Sequence, residues 1–406
     1  MPNTLNTHSI LAAEAAAVLE EMCPFLMHVN RARESEFQSS YNGYKVGETV
    51  SITVPGRSSV YTSSTLADGG SVEDFVEQTV TLTPNIHRHT AYAGSMTDEI
   101  FKLEARDPRR ADWRKRVLKP QLSSLAASIE VALLDAAVKL TPNFVGTYGT
   151  VPSTMKVYNQ ARGKLQNALA PDTERYVVFS TDSNIELVDS SKAIFNPSEE
   201  ISRQFRDSYI GRAARADWFE SVNLPVITNS ADVAFDVNGA NQGATTEVST
   251  LVVDGLTAAP VAGMVFTIAG VFDCHPLTGQ AYTSLKQFTV LPGATTTAIP
   301  IYPPIKATFP NKTVSAAPAD NAVGTFGGNA STAYRQNLMW QRDAFTVAFV
   351  DVPQVAGTEG ATVRTNGISV TAQTGGTFST LASTTRLDVR FGIAAVRGNH
   401  ACRITE

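Results

Sequence analysis

RDPRRADWRKRVLKPQLSSLAASIEVALLDAAVKL, residues 106–140, reads as one long helix. Asp107 followed by Pro108 marks its start, because aspartate accepts from the free amides of a first turn and proline sits where no donor is needed. Trp113, Val117, Leu118, Leu122, Leu125, Ile129, Ala132, Leu133, Ala136 and Leu140 then recur at three- and four-residue steps and keep one apolar stripe. At about 1.5 Å per residue the helix would be roughly 50 Å long, a spine to build on. Pro120 interrupts it: an internal proline deletes a hydrogen bond and crowds the carbonyl four residues earlier, so a kink, or two helices meeting at Lys119, is expected. Thr141-Pro142-Asn143 ends the element. The same stripe serves a core helix of an ordinary bundle, so the flanking sequence has to separate the two.

Composition narrows the field. The chain of 406 residues is 43% hydrophobic and 17% charged, a globular balance in which Thr, Ala, Gly and Ser replace charge and favour sheet with long polar loops. The net charge of -5 argues against a dedicated nucleic-acid binder, because phosphate neutralisation needs a surplus of Lys and Arg. Three widely spaced cysteines, Cys23, Cys274 and Cys402, indicate neither a disulfide framework nor a zinc module, and a reducing compartment is the simplest setting. Residues 1–30 lack a basic leader and are interrupted by Glu14, Glu20 and Glu21, so no signal peptide is expected. No membrane span is expected either.

N-terminal to the spine, residues 7–22 form a short Ala-rich amphipathic helix closed by Pro24, either an arm or a packed helix. Val46–Val54 and Val76–Thr83 alternate as half-buried strands, joined by some twenty Ser-, Thr- and Gly-rich residues. A connection of that length suggests a protruding loop that meets a partner. C-terminal to the spine, helices are expected at 154–169 and from Asn196-Pro197 to Tyr209, with a buried strand at 176–179. Charge thins near Asn229, and strands at 248–253, 264–271, 285–291 and 298–302 make a β-rich insertion from 229 to 342 in which 311–332 has the bias of a mobile loop. Phe345, Val347 and Phe349 then alternate, Asn366-Gly367 signals a tight hairpin, and Leu387, Val389, Phe391 and Ile393 make a late strand.

Chemistry-bearing patterns are sparse. There is no phosphate-cradling loop ending in Lys-Ser or Lys-Thr and no Gly-x-Ser-x-Gly turn. His87 and His89 share a strand face but have no third ligand nearby, and Cys274-His275 are strand neighbours whose side chains point to opposite faces. No catalytic, metal or cofactor site is expected. The basic run Lys102, Arg106, Arg109, Arg110, Arg114, Lys115, Arg116 and Lys119 is either a solvated helix face or a contact for phosphates or for an acidic strip on a neighbouring subunit.

The order of these parts resembles the major capsid protein of tailed double-stranded DNA bacteriophages, the Hong Kong 97 fold, and within it the coat protein of the short-tailed Salmonella phages with an inserted β domain. Phe101 to Asp107 leading into Arg114-Lys115-Arg116 resembles that family's lead into the spine helix, Leu224 to Thr228 its lead into the insertion, Phe266 to Val271 a strand within it, and Trp340 its end. The resemblance implies an α+β fold with an N-terminal arm (1–40), an extended β loop (41–93), a peripheral domain with the spine (94–140), an axial domain (141–228), the β insertion (229–342) and return strands (343–406). It implies a non-enzymatic coat protein that assembles with itself into hexamers and pentamers around double-stranded DNA, in the host cytoplasm, with a scaffolding protein and portal. Glu14, Glu20 and Glu21 are candidate contacts for a basic scaffold segment. Lys45 is the only lysine near the extended loop, and no covalent crosslink is expected. A β-rich tail or adhesin-type binding protein is the alternative; it leaves the spine, arm and loop unexplained.

Overall fold

A computed structural model describes residues 8–31, 49–56, 77–93, 119–190, 212–377 and 382–406. The chain divides into two compact units: Met1–Ile52 with Thr81–Leu133 and Thr346–Ala394, and Thr53–Val80 with Leu134–Phe345 and Ala395–Glu406.

The first unit is organised by a sheet in the order Phe345–Val350, Ala382–Ala395, Ile368–Thr377, Glu359–Thr365, with Ile86–Ala93 also pairing with Ala382–Ala395. Asn366 and Gly367 form the expected tight turn: Thr365 faces Ile368, and φ of +50° and +83° gives the mirror-image turn that matches strand twist. Onto this hairpin the N-terminal helix His8–Met22 lays Leu11, Ala12, Ala15, Ala16, Val18 and Leu19, all buried. Alanines on that face let the helix approach closely, His8 meets Thr374 Oγ1 at 2.9 Å, and Asn366 donates to Glu20 at 2.8 Å. Of the two readings of this segment, residues 8–22 show the packed helix; Pro24 then opens a further turn, Pro24–Met27. Strand Phe345–Val350 is buried at every position, so its alternation in sequence does not mark a solvated face. Val50–Val54 and Gln78–Leu82 pair as a two-stranded sheet, and their connection lies outside the described residues.

The spine is described as Lys119–Lys139. Pro120 stands in its first described turn, where Ser123 Oγ donates to the Pro120 carbonyl at 2.6 Å; the kink concerns residues before it, which lie outside the described set. Leu122, Leu125, Ile129 and Leu133 are buried as the stripe requires, but the later turns bury Leu134, Ala137 and Val138 and leave Ala132 and Ala136 only half-buried. The helix is therefore enclosed over a broad arc and not along a narrow seam, the pattern of a core element. By length and composition it meets the criterion for a membrane span, contrary to the expectation that none does, yet half of that window is buried within the fold.

The second unit holds a mixed sheet and a barrel. The sheet runs Phe144–Val145, Ala401–Thr405, Ala333–Gln341, Arg175–Phe179, Ala216–Glu220, Arg212–Ala213, with Val226–Thr228 also on Ala333–Gln341. Helix Met155–Asn167 packs Tyr158, Ala161 and Leu165 against Val177, Trp218, Met339, Cys402 and Ile404. A helix not read from sequence, Thr181–Ser190, follows the Arg175–Phe179 strand, while the helix expected from Asn196 to Tyr209 lies outside the described residues.

Between Val226–Thr228 and Ala333–Gln341 the chain forms a closed six-stranded barrel, ordered Val248–Asp254, Ala298–Ile305, Ala281–Val290, Val265–Cys274, Val323–Phe326, Ala234–Val237. Phe235, Phe266, Phe288 and Phe326 fill it with Val, Ile and Leu side chains. Residues 311–332 are thus not simply a mobile loop: Val323–Phe326 pairs with strands on both sides and closes the barrel. Its glycine misleads in sequence because Gly324 lies under the Phe235 ring, where an added Cβ would come within 2.2 Å of Cζ. Small size here makes room for a core aromatic. Gly324→Ala should lower the stability of the monomer by about 1–3 kcal/mol through overpacking, read from urea unfolding; an unchanged midpoint would show that Phe235 moves aside freely.

Candidate functional site

Several polar side chains of the described residues meet where the barrel joins the mixed sheet. Val226–Thr228 and Ala333–Arg335 pair antiparallel as the two legs of the barrel. Asn229 locks them: its backbone N–H donates to Thr332 O at 3.0 Å, and its Nδ2 donates to Gly327 O at 2.8 Å and Asn329 O at 3.1 Å. Tyr334 accepts from Asn329 N at 2.9 Å and packs edge-on against Tyr148, ring centroids 4.8 Å apart. Gly327 makes room for that tyrosine, since a Cβ there would sit 2.5 Å from Tyr148 Cε2.

Arg403 is the centre of the junction. It lies in the last strand and is 1% exposed, and none of the acceptors of its guanidinium among the described residues is a carboxylate. Its Nε donates to Thr141 O at 2.7 Å, just beyond the spine helix, its Nη2 to Thr289 Oγ1 of the barrel at 2.7 Å, and its Nη1 to Gly263 O of the barrel. Burial depresses its pKa to about 10, which still leaves it charged at neutral pH. A guanidinium suits this position because its planar fork serves three acceptors in three directions, where an ammonium offers one point. Gly263, at φ +96°, has no room for a side chain: a Cβ would meet Lys139 Cγ at 2.8 Å and Ile227 Cδ1 at 2.9 Å.

Two more barrel residues reach the same place. Gln287 donates to Phe144 O and accepts from Phe144 N, both at 3.0 Å, so it covers the exposed edge of the mixed sheet. Thr289 Oγ1 also contacts Lys139 O at 3.0 Å. Sequence reasoning missed Arg403, Gly263, Gln287 and Thr289 because each looks ordinary in its own segment; only the three-dimensional convergence reveals them.

Of the residues singled out in sequence, Lys119 is exposed, while Arg106, Arg109, Arg110, Arg114, Lys115 and Arg116 lie outside the described residues. Glu20 pairs with Arg31 at 3.4 Å as well as with Asn366, Glu14 is half-buried and Glu21 is exposed. The rings of His87 and His89 are 5.9 Å apart, but His87 meets the buried Asp388 carboxylate at 2.8 Å, which Arg386 also contacts at 2.7 Å. Cys274 is buried, and His275 Nδ1 accepts from Leu277 N and Thr278 N at 3.2 Å, so the pair forms a turn and not a nucleophile with its base. No group of three His, Cys, Asp or Glu residues suited to a metal occurs among the described residues.

The α+β fold joins its barrel to its mixed sheet through buried polar groups. Residues 86–402 match the family model described as P22 coat protein, gene protein 5, and the chain belongs to that family. It is a structural major capsid protein of tailed phages with the Hong Kong 97-type fold, resident in the virion capsid and assembling as a shell of like copies. The tail or adhesin reading falls away. Among solved structures, it is similar to one from Mycobacterium phage Che8 (13% identity over 94% of this chain and 90% of that one, TM-score 0.45). It is also similar to the capsid of Ralstonia phage GP4 (10% identity, 89% and 84% covered, TM-score 0.39) and to the CUS-3 coat protein I-domain (25% identity, 24% and 96% covered, TM-score 0.18). No curated protein matches the chain.

Arg403→Met should destabilise the monomer by about 3–5 kcal/mol, because it strands buried acceptors, and Arg403→Lys should restore only part of this; equal stability of the Lys variant and the parent would contradict the three-way role. Burial also raises the thiols of Cys23 and Cys402 to about 12. The folded state therefore keeps those protons longer than the unfolded chain. Their contribution is fully present below about pH 9 and is lost as pH rises toward 12. Unfolding midpoints should fall over that window, and a flat profile would contradict it.

Proposed function

We propose that the chain is a non-enzymatic coat subunit that forms hexamers and pentamers around double-stranded DNA, in the host cytoplasm, with a scaffolding protein and a portal. Membership of a coat-protein family over residues 86–402 carries this reading. In it, the barrel is an inserted domain of the kind found in the short-tailed Salmonella phages, rooted by Arg403. The segments follow the division 1–40, 41–93, 94–140, 141–228, 229–342 and 343–406. The basic run Arg106, Arg109, Arg110, Arg114, Lys115, Arg116 and Lys119 meets a neighbouring subunit or packaged DNA without sequence preference, as phosphate contacts do.

Glu14, Glu20 and Glu21 face a basic segment of the scaffolding protein. Glu20 already holds Arg31 and Asn366, so reversing it also disturbs the helix packing. Glu21, exposed, is the discriminating position. Electron microscopy of coat protein coexpressed with its scaffold should show closed shells of uniform diameter, and Glu21→Lys should reduce their yield several-fold while leaving monomer unfolding unchanged. Monomers or fibres from the parent would overturn the coat reading; full shell yield from the variant would overturn the scaffold contact alone.

A further inference from the structure

A second polar site lies beside the Arg403 junction and shares Asn143 with it, but its lysines hold none of the Arg403 guanidinium's acceptors. Lys164, in the last turn of helix Met155–Asn167, Lys286, in the barrel strand Ala281–Val290, and Lys312, between the strands Ala298–Ile305 and Val323–Phe326, line one small cavity of about 40 Å³. Lys286 is paired with Asp273 at 2.8 Å, both side chains largely buried at 11% and 16% exposure. Lys164 and Lys312 have no carboxylate partner among the described residues, so the cavity carries three ammonium groups against one carboxylate. The lining also includes three amides, Asn143, Asn167 and Asn399, and Asn399 Oδ1 is buried without a hydrogen-bond partner. Since an amide's oxygen and nitrogen are assigned from their partners, turning this one over would offer a donor in the place of an unmatched acceptor.

The cavity is held in shape from several sides. Ser315 N donates to Phe272 O at 3.0 Å and Thr313 Oγ1 donates to Pro304 O at 2.7 Å, fixing the backbone that carries Lys312. Asn143 Nδ2 donates to Asn399 O at 3.0 Å and Ala401 O at 3.1 Å, fixing the backbone that carries Asn399. Like charges lining one concavity repel one another, and an anion between them relieves that repulsion. A single water needs about 10–15 Å³, so the space has room for one compact tetrahedral group.

We propose that this cavity binds inorganic phosphate, held by Lys164, Lys286 and Lys312. Such a ligand would tie the barrel to the helix Met155–Asn167. Assembled coat protein is dialysed to equilibrium against labelled inorganic phosphate at constant ionic strength set with chloride. Saturable binding is expected. Lys164→Gln and Lys312→Gln should each weaken it at least ten-fold, whereas Lys306→Gln, outside the cavity, should leave it unchanged. Asp273→Asn removes the opposing charge and should tighten binding several-fold, an effect of opposite sign that stays decisive if a lysine variant fails to fold. Short duplex DNA should not displace the phosphate. No binding above the chloride background, unaltered binding in both lysine variants, weaker binding in Asp273→Asn, or displacement by DNA would each overturn the proposal.

Discussion

A charged guanidinium enclosed by protein is the constraint on which the second unit depends. Arg403 is taken out of water without a carboxylate to balance it, and three neutral oxygens, from Thr141, Gly263 and Thr289, replace its hydration. Such an arrangement tolerates little displacement, because any acceptor that moves away leaves a buried charge short of a partner. One side chain near the end of the chain thereby couples three places far apart in sequence: the turn that ends the spine helix, the loop before the strand Val265–Cys274, and the strand Ala281–Val290. Gly263 allows the approach, Thr289 orients its hydroxyl, and Gln287 covers the sheet edge beside them.

This accounts for how a barrel joined to a sheet by only two short strands is positioned. The legs fix where the barrel attaches, and Asn229 fixes the turns at their upper end. Contacts from Arg403 and Gln287 add points away from the legs, and a body held at separated points resists rotation about either of them. For a protein whose family builds shells from many copies of one chain, a fixed internal geometry matters because every small angular error is repeated in each copy.

Much of the fold was legible in the sequence where periodicity is strong. The spine from Lys119 to Lys139, the Ala-rich N-terminal helix, the Asn366-Gly367 hairpin and four of the barrel strands follow from spacing and turn chemistry. What escaped shares one cause: the deciding neighbour is distant in the chain. Val323-Gly324-Thr325-Phe326 looks like a loop until Phe235 is placed over the glycine. The stripe on the spine shifts in its later turns because Leu134, Ala137 and Val138 are enclosed by residues that a single helix cannot reveal. At the junction, Arg403 sits in the short alternating run Ala401–Thr405, where an arginine would ordinarily face solvent, and nothing local to it signals three acceptors waiting from elsewhere.

Arg403 makes the barrel and the mixed sheet one cooperative body. Native-state hydrogen exchange of the monomer tests it most directly, by comparing the amide of Val290, which bonds Met264 O at 2.8 Å, with that of Arg403, which bonds Asn143 O at 2.8 Å. Both should exchange with the same free energy and the same denaturant dependence, as members of one unfolding unit do. A Val290 amide that stays protected under conditions where the Arg403 amide has already exchanged would contradict the claim.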